Sequence, residues 1–197
     1  TSDQSITHSV KNETNIGLSG TVSESKVSGT LGIGVAHSTT DSTKNKAQVS
    51  QLSAARDVSL NANRIEHQGS SVQAGGSIHE NAKDVLHHTA KNSSTSTTHN
   101  VKVGAEISAG IDKSKAVNFG AKLSANGGNE NTSELTHQAT QFQAGRNIHV
   151  QANHIVDQAT SYTAGGNAQF NSHNHQFSAE SNRTSKDKMS AGVTLGV

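Results

Sequence analysis

The chain has 197 residues, 16 basic and 15 acidic side chains, a formal net charge of +1, and hydrophobic and aromatic contents of 30% and 3%. Four Phe, one Tyr and no Trp cannot fill a conventional core of this length, which argues against a compact enzyme, while the low net charge argues against plain disorder. The near-neutral balance gives no field for a phosphate backbone and the chain has no aromatic platform for bases, so nucleic acid is not an expected partner.

Cysteine is absent, which removes disulfides, thiolate metal sites and thiol nucleophiles; proline is absent too, and with it the residue that most often interrupts a sheet ladder. No run of 18 apolar residues exists, and Thr1 to Val10 has neither a basic segment nor an apolar signal core, so the chain reads as an internal piece of a longer protein.

In chain order, the first element is a β-hairpin over 14–35. Ile16, Leu18, Gly20 and Val22 alternate with polar residues, Glu24 to Lys26 turn, and Val27, Gly29, Leu31, Ile33 and Val35 alternate again. Residues 50–92 follow a different pattern, in which Val58, Leu60 and Ala62 point inward and Ser59, Asn61 and Asn63 outward on a short strand after a polar corner. A Ser- and Thr-rich stretch, Asn92 to Asn100, leads to a second hairpin over 101–125. Its apolar positions are Val101, Val103, Ala105, Ile107, Ala109 and Ile111, then, past Lys113 to Ala116, Val117, Phe119, Ala121, Leu123 and Ala125. A spacer, Asn126 to Gln138, precedes coil-like residues 140–182. After Ser181 to Lys188, the residues Met189, Ala191, Val193, Leu195 and Val197 start the alternation a third time.

Self-similarity organises these elements. A shift of 90 lays Gln51–Asn92 over Gln141–Asn182 with 13 of 42 positions identical, including Arg56 on Arg146, Ile65 on Ile155 and Ala74-Gly75-Gly76 on Ala164-Gly165-Gly166. A shift of 20 within each copy lays Val58 on Ile78, Ala62 on Ala82, Ile65 on Val85 and, in the second copy, Ile148 on Ala168. The expected fold is therefore all-β: a right-handed parallel β-helix of 20-residue coils with amphipathic β-hairpin insertions. It forms one solenoid over 1–197, with a first super-repeat at about 8–98 (hairpin 14–35, coils 50–92), a second at about 99–188 (hairpin 101–125, coils 140–182) and a third starting at 189–197. A narrow solenoid core needs no large aromatics. A native oligomer is not expected, although the open ends of a stack of coils can associate.

The hairpin strands have about the 9–11 residues, apolar on one face, that a membrane-spanning β-strand needs. The candidate membrane- or partner-facing residues are Ile16, Leu18, Val22, Leu31, Ile33, Val35, Val101, Val103, Ile107, Ile111, Val117, Phe119 and Leu123. A second reading stays open, in which this face lies on the solenoid flank; the hairpins lack the Trp and Tyr girdles of outer-membrane barrels.

The order of Gly-rich alternating stretch (Val101 to Ala125), polar spacer (Asn126 to Gln138), Ala144-Gly145-Arg146-Asn147-Ile148 and Ala164-Gly165-Gly166-Asn167 resembles the second haemagglutinin repeat class of filamentous haemagglutinin-type exoproteins. The resemblance implies a stalk on a secreted, Gram-negative surface protein, exported through an outer-membrane two-partner-secretion transporter that recognises an upstream domain. It also implies three alternatives for the whole: a contact-dependent growth-inhibition effector whose repeats help carry a toxin across the target cell's outer membrane, a passive adhesin stalk, or part of a pore-forming haemolysin.

No catalytic, cofactor-binding or metal-ligating set is expected. The nucleophile elbow and the phosphate-binding glycine loops are absent. Of the twelve histidines, His87-His88 and His173-x-His175 are the closest pairs, but under the 90-residue shift His173 and His175 fall on Lys83 and Val85 and His87 on Phe177. The repeat preserves no ligand set, so these histidines are expected to face solvent, where His173 and His175 could hold an adventitious Zn or Ni. Gly75-Gly76 and Gly165-Gly166 are expected to supply positive φ at corners, Asn63 and Asn153 to bond corner backbone or form ladders, and Arg56 and Arg146 to be solvated.

Overall fold

The computed structural model describes residues 2–197 and is all-β over them. The strands are β1 (Ser2–Ser23), β2 (Lys26–Ala47), β3 (Gln51–Ala54), β4 (Val58–Gln68), β5 (Ser71–Ala74), β6 (Ile78–His88), β7 (Ala90–Asp112), β8 (Val117–Gln138), β9 (Gln141–Ala144), β10 (Ile148–Gln158), β11 (Ser161–Ala164), β12 (Ala168–Ser178) and β13 (Arg183–Gly196). They belong to two compact units, one built on Lys44–Ser94 and Glu134–Thr184, the other on Ser5–Thr43, Thr95–Ser133 and Ser185–Val197.

The first unit is a parallel β-solenoid. Each coil is a four-residue strand, a corner and an eleven-residue strand, and the coils stack through two parallel sheets ordered β11-β9-β5-β3 and β12-β10-β6-β4. The 20-residue register of the sequence is the stacking register inside each pair of coils: Val58 sits on Ile78, Ile65 on Val85 and Ile148 on Ala168. Between the pairs the offset is 70, because Ile148 pairs with Ile78 and Gln141 with Ser71. The third coil thus lies directly on the second, and the intervening residues leave the stack without interrupting it. Val72, Ile78, Val85, Ile148, Val150 and Ile155 fill the lumen at 0–1% exposure. Each such side chain contributes about 1.5–3 kcal/mol by leaving water.

Two sequence expectations are corrected here. First, the lumen does use aromatics: Phe142 is its largest fully buried side chain, stacked on Tyr162 with ring centroids 5.1 Å apart, and Tyr162 meets Phe170 edge-on at 4.7 Å. A rare residue type is concentrated in one column rather than absent. Second, the corner glycines do not have positive φ. They are small because the coils touch there. A Cβ on Gly75 would lie 2.2 Å from the Ala55 carbonyl oxygen, and on Gly145 or Gly165 2.3 Å from the carbonyl oxygen of Gly75 or Gly145. The corner hydrogen bonds come from Asp57, which accepts from the Ser77 N–H (2.6 Å), and Asn147, which accepts from the Asn167 N–H (2.9 Å). Asn63 and Asn153 are exposed, at the point where the ladder skips a pair.

The remaining strands form one five-stranded sheet in the order β1-β2-β7-β8-β13, so β1–β2 and β7–β8 are hairpins, while β2–β7 and β8–β13 pair across the coils that separate them in sequence. Ser23 and Lys26 close the β1–β2 turn, where the Ser23 Oγ accepts from the Lys26 N–H at 3.1 Å. At the β7–β8 turn Asp112 Oδ1 accepts from the N–H groups of Ser114 (2.9 Å) and Ala116 (3.1 Å), and Lys115 takes a φ of 63°. The strands run well beyond the apolar alternation, into the Ser-, Thr- and Asn-rich stretches that read as spacers. Side chains register them there: Thr40 with Thr98 at 3.1 Å, Asn45 donating to Ser93 at 3.3 Å, and the Ala47 N–H donating to Asn92 Oδ1 at 2.8 Å.

Candidate functional site

Two features stand out: an open apolar face on the five-stranded sheet and a polar cluster inside the solenoid.

The apolar face follows from the two-residue period of a strand combined with the pairings. The tight turns bring Val22 opposite Val27 and Leu18 opposite Leu31, while Ser108 bonding Gly120 O and Ser124 bonding Gly104 O fix β7 against β8. Ala121 and Val197 exchange both backbone hydrogen bonds, at 3.2 and 3.0 Å, so β13 continues the same parity. Ile16, Leu18, Val22, Leu31, Ile33, Val35, Val101, Val103, Ile107, Ile111, Val117, Phe119 and Leu123 therefore share one face, and every one is 45–84% exposed. Met189, Val193 and Leu195 extend it at 63–77%. The opposite face is small and polar, with Ser28, Thr30, Gly32, Gly34, Gly104, Glu106, Ser108, Gly120, Lys122 and Ser124 at the alternate positions. A contiguous exposed apolar surface of this extent is unusual on a folded domain.

The polar cluster is assembled by coil stacking. One inward position reads His67, His87, Asp157 and Phe177 from the first coil to the fourth, and a second reads Leu60, Glu80, Val150 and Phe170. The two oxygens of Glu80 accept from His67 Nε2 (2.8 Å) and His87 Nε2 (3.0 Å). The His87 Nδ1–H is shared between Asp157 Oδ1 (2.7 Å) and the Tyr162 oxygen (2.8 Å), the Tyr162 hydroxyl donates to Asp157 Oδ1 (2.6 Å), and His175 Nε2 donates to Asp157 Oδ2 (2.6 Å). Glu80, His87 and Asp157 are 0–2% exposed. Burial alone pushes the Glu80 carboxyl up, but hydrogen bonds from His67 and His87 overcome this and hold it below the usual carboxylate range. Asp157 is lowered likewise, its burial outweighed by bonds from His87, Tyr162 and His175. Burial disfavours a charged His87, yet the bonds to Asp157 and Glu80 outweigh it and raise the imidazole above its ordinary value, favouring the charged form between the two carboxylates. Tyr162 is pushed up by burial and by Asp157, and stays a neutral donor.

The expectation of solvent-facing histidines is thus corrected for His87, which is fully buried, and for His175, which bonds Asp157; His173 is exposed. The 90-residue comparison set His87 against Phe177, whereas the neighbours that meet it are His67 at an offset of 20 and Asp157 at an offset of 70. The sequence signal that could have exposed the cluster is Glu80 itself, a carboxylate at an inward position where the register places Leu60. The donor atoms of His67, Glu80 and His87 lie within 4.8 Å of one another, close enough to share a cation. Arg56 and Arg146 are exposed.

Among known families, the model described as "Hemagglutinin repeat" aligns with residues 31–155, more than half of the chain. A search of curated proteins and one of solved structures found no match.

Proposed function

The chain belongs to the hemagglutinin repeat family, and from that membership and the exposed sheet face we propose that it is a stalk segment of a large two-partner-secreted surface exoprotein whose long β-hairpins enter a target cell's outer membrane. The observation that carries this reading is the thirteen-residue apolar face, open to solvent and alternating with a small, polar one. That is the pattern of a membrane-facing β-sheet, apolar toward lipid and polar toward an interior. The apolar alternation spans nine residues in β2 (Val27 to Val35), eleven in β7 (Val101 to Ile111) and nine in β8 (Val117 to Ala125), matching the span of a tilted strand across hydrocarbon. Delivery of a toxin across the outer membrane, as in contact-dependent growth inhibition, gives such a face a role. A β-solenoid of hemagglutinin repeats is typical of structural and adhesin proteins.

The test is binding to liposomes of outer-membrane phospholipid followed by protease protection, comparing wild type with Ile107→Asp after both show the same β-rich circular dichroism. Protection of 14–35 and 101–125 that the substitution removes supports insertion. The passive adhesin stalk is favoured by one observation, that Phe119 is the sole aromatic on the apolar face, leaving no aromatic girdle. A well-folded wild type that leaves those segments fully cleaved in the presence of liposomes establishes that alternative.

A further inference from the structure

We propose that His67 Nε2, Glu80 and His87 Nε2 form a transition-metal site, suited to Zn2+, that staples the first solenoid coil to the second. Three observations converge on it. The first is the exception Glu80 makes in its own stack. The equivalent inward positions of the other coils hold Leu60, Val150 and Phe170, so the lumen accommodates an apolar side chain there, and a fully buried carboxylate needs another reason. It stands where two imidazoles of successive coils converge.

The second is geometry. The Glu80 oxygens lie 2.8 and 3.0 Å from the two Nε2 atoms, and the donor atoms of all three residues lie within 4.8 Å of one another. Tetrahedral Zn2+ with bonds of 2.0–2.1 Å separates neighbouring ligand atoms by about 3.3 Å, so a cation replaces the shared protons if each Glu80–imidazole pair opens by a few tenths of an ångström and the most widely spaced donors, within 4.8 Å of each other, close by up to about 1.5 Å through side-chain rotation.

The third is what surrounds the ligands. His87 donates its other ring N–H to Asp157, which Tyr162 and His175 hold in turn. A carboxylate behind a ligating imidazole fixes its tautomer and strengthens it as a ligand. Phe142 walls the site, its ring centroid 5.3 Å from that of His67 in an edge-on contact and 4.7 Å from that of His87. The His67 side chain, 13% exposed, is the entry side, while Glu80 and His87 are closed off. Two imidazoles and one carboxylate suit Zn2+, Co2+, Ni2+ or Cu2+, and not Mg2+ or Ca2+, which take oxygen ligands. Three protein ligands leave a fourth position for water, but the role is mechanical: a bond between coils, each of which contacts only its neighbours.

The test uses the full 197-residue chain, stripped with EDTA, dialysed and titrated with ZnCl2, with the Co2+ absorption spectrum as a second readout. One Zn2+ per chain with micromolar or tighter affinity, a raised Tm with ZnCl2 but not MgCl2, and a tetrahedral Co2+ spectrum are expected. His67→Ala and Glu80→Leu, the latter copying the first coil's Leu60, should each weaken binding at least 100-fold with the circular dichroism intact. Asp157→Asn should weaken it about 10–100-fold, and His173→Ala, at an exposed histidine, should leave it unchanged. Absence of a stoichiometric site, retention of binding in folded Glu80→Leu, or its loss in His173→Ala would overturn the proposal, the last by tracing the metal to surface histidines.

Discussion

Replacing Gly145 by alanine puts a methyl carbon 2.3 Å from the Gly75 carbonyl oxygen, against a closest approach of 3.0 Å that such contacts respect. The third coil must then lift by about 0.7 Å at this corner. Two backbone bonds tie it down, from the Gly145 N–H to Ala74 O at 2.9 Å and from the Arg146 N–H to Gly76 O at 3.0 Å. The same displacement stretches both past about 3.5 Å, where a hydrogen bond is no longer made. At about 0.5–1.5 kcal/mol each, their loss destabilises by about 1–3 kcal/mol. The lower entropy of an unfolded alanine returns about 0.4–1 kcal/mol, so the net cost is about 1–2 kcal/mol. For a chain of this size that lowers Tm by roughly 2–8 °C. Thermal unfolding followed by far-ultraviolet circular dichroism measures it, with Ala55→Gly as the internal control. Ala55 occupies the same corner in the end coil, with no coil beneath it, so this change should cost only the entropic fraction, about 0.4–1 kcal/mol. A Gly145→Ala protein as stable as wild type, or an Ala55→Gly protein equally damaged, would refute the stacking argument.

Phe142→Ala removes the largest fully buried side chain and the wall of the polar cluster, and should cost about 3–5 kcal/mol in urea unfolding. Ile107→Asp and Leu31→Asp alter exposed positions and should leave Tm in solution within about 2 °C of wild type while removing liposome protection. In EDTA, stability should be greatest between about pH 4.5 and 6.5 and fall on both sides. The lowered Glu80 and Asp157 stabilise above their ordinary values and lose this as pH drops through their folded ones; the raised His87 stabilises below 6.5 and loses this as pH climbs through its folded value. His87→Gln should flatten the alkaline side of that profile in a series of thermal melts.

The solenoid was legible because its signal is a repeat. Val58 on Ile78 and Ile148 on Ala168 are at once sequence matches and stacked neighbours. The apolar alternation of the hairpins was equally plain, since only one face of each strand carries Val, Ile and Leu. Other features lay beyond the reach of periodicity. The polar ends of β2 and β7 pair through Thr40, Thr98, Asn45 and Ser93, and a strand with two polar faces has no alternation to read. The junction of the second and third coils, with its offset of 70, is a fact of stacking and not of duplication, so the meeting of His87 with Asp157 had no counterpart in the internal alignment. The corner glycines show the same limit: the residue type marked a special place, but whether the constraint was a dihedral angle or a neighbouring carbonyl required the coil beneath.

Membrane insertion of the hairpins predicts that one face of the sheet, and not the other, meets lipid. The chain contains no Trp, so a single introduced Trp reports one position alone. Placed in turn at 105, 106, 107, 108 and 109, and excited in liposomes carrying brominated acyl chains, it should be quenched and blue-shifted at 105, 107 and 109 and remain bright and red-shifted at 106 and 108. Quenching without the two-residue period, or none at any position in a protein that retains its β spectrum, would contradict the assignment of this face to the membrane.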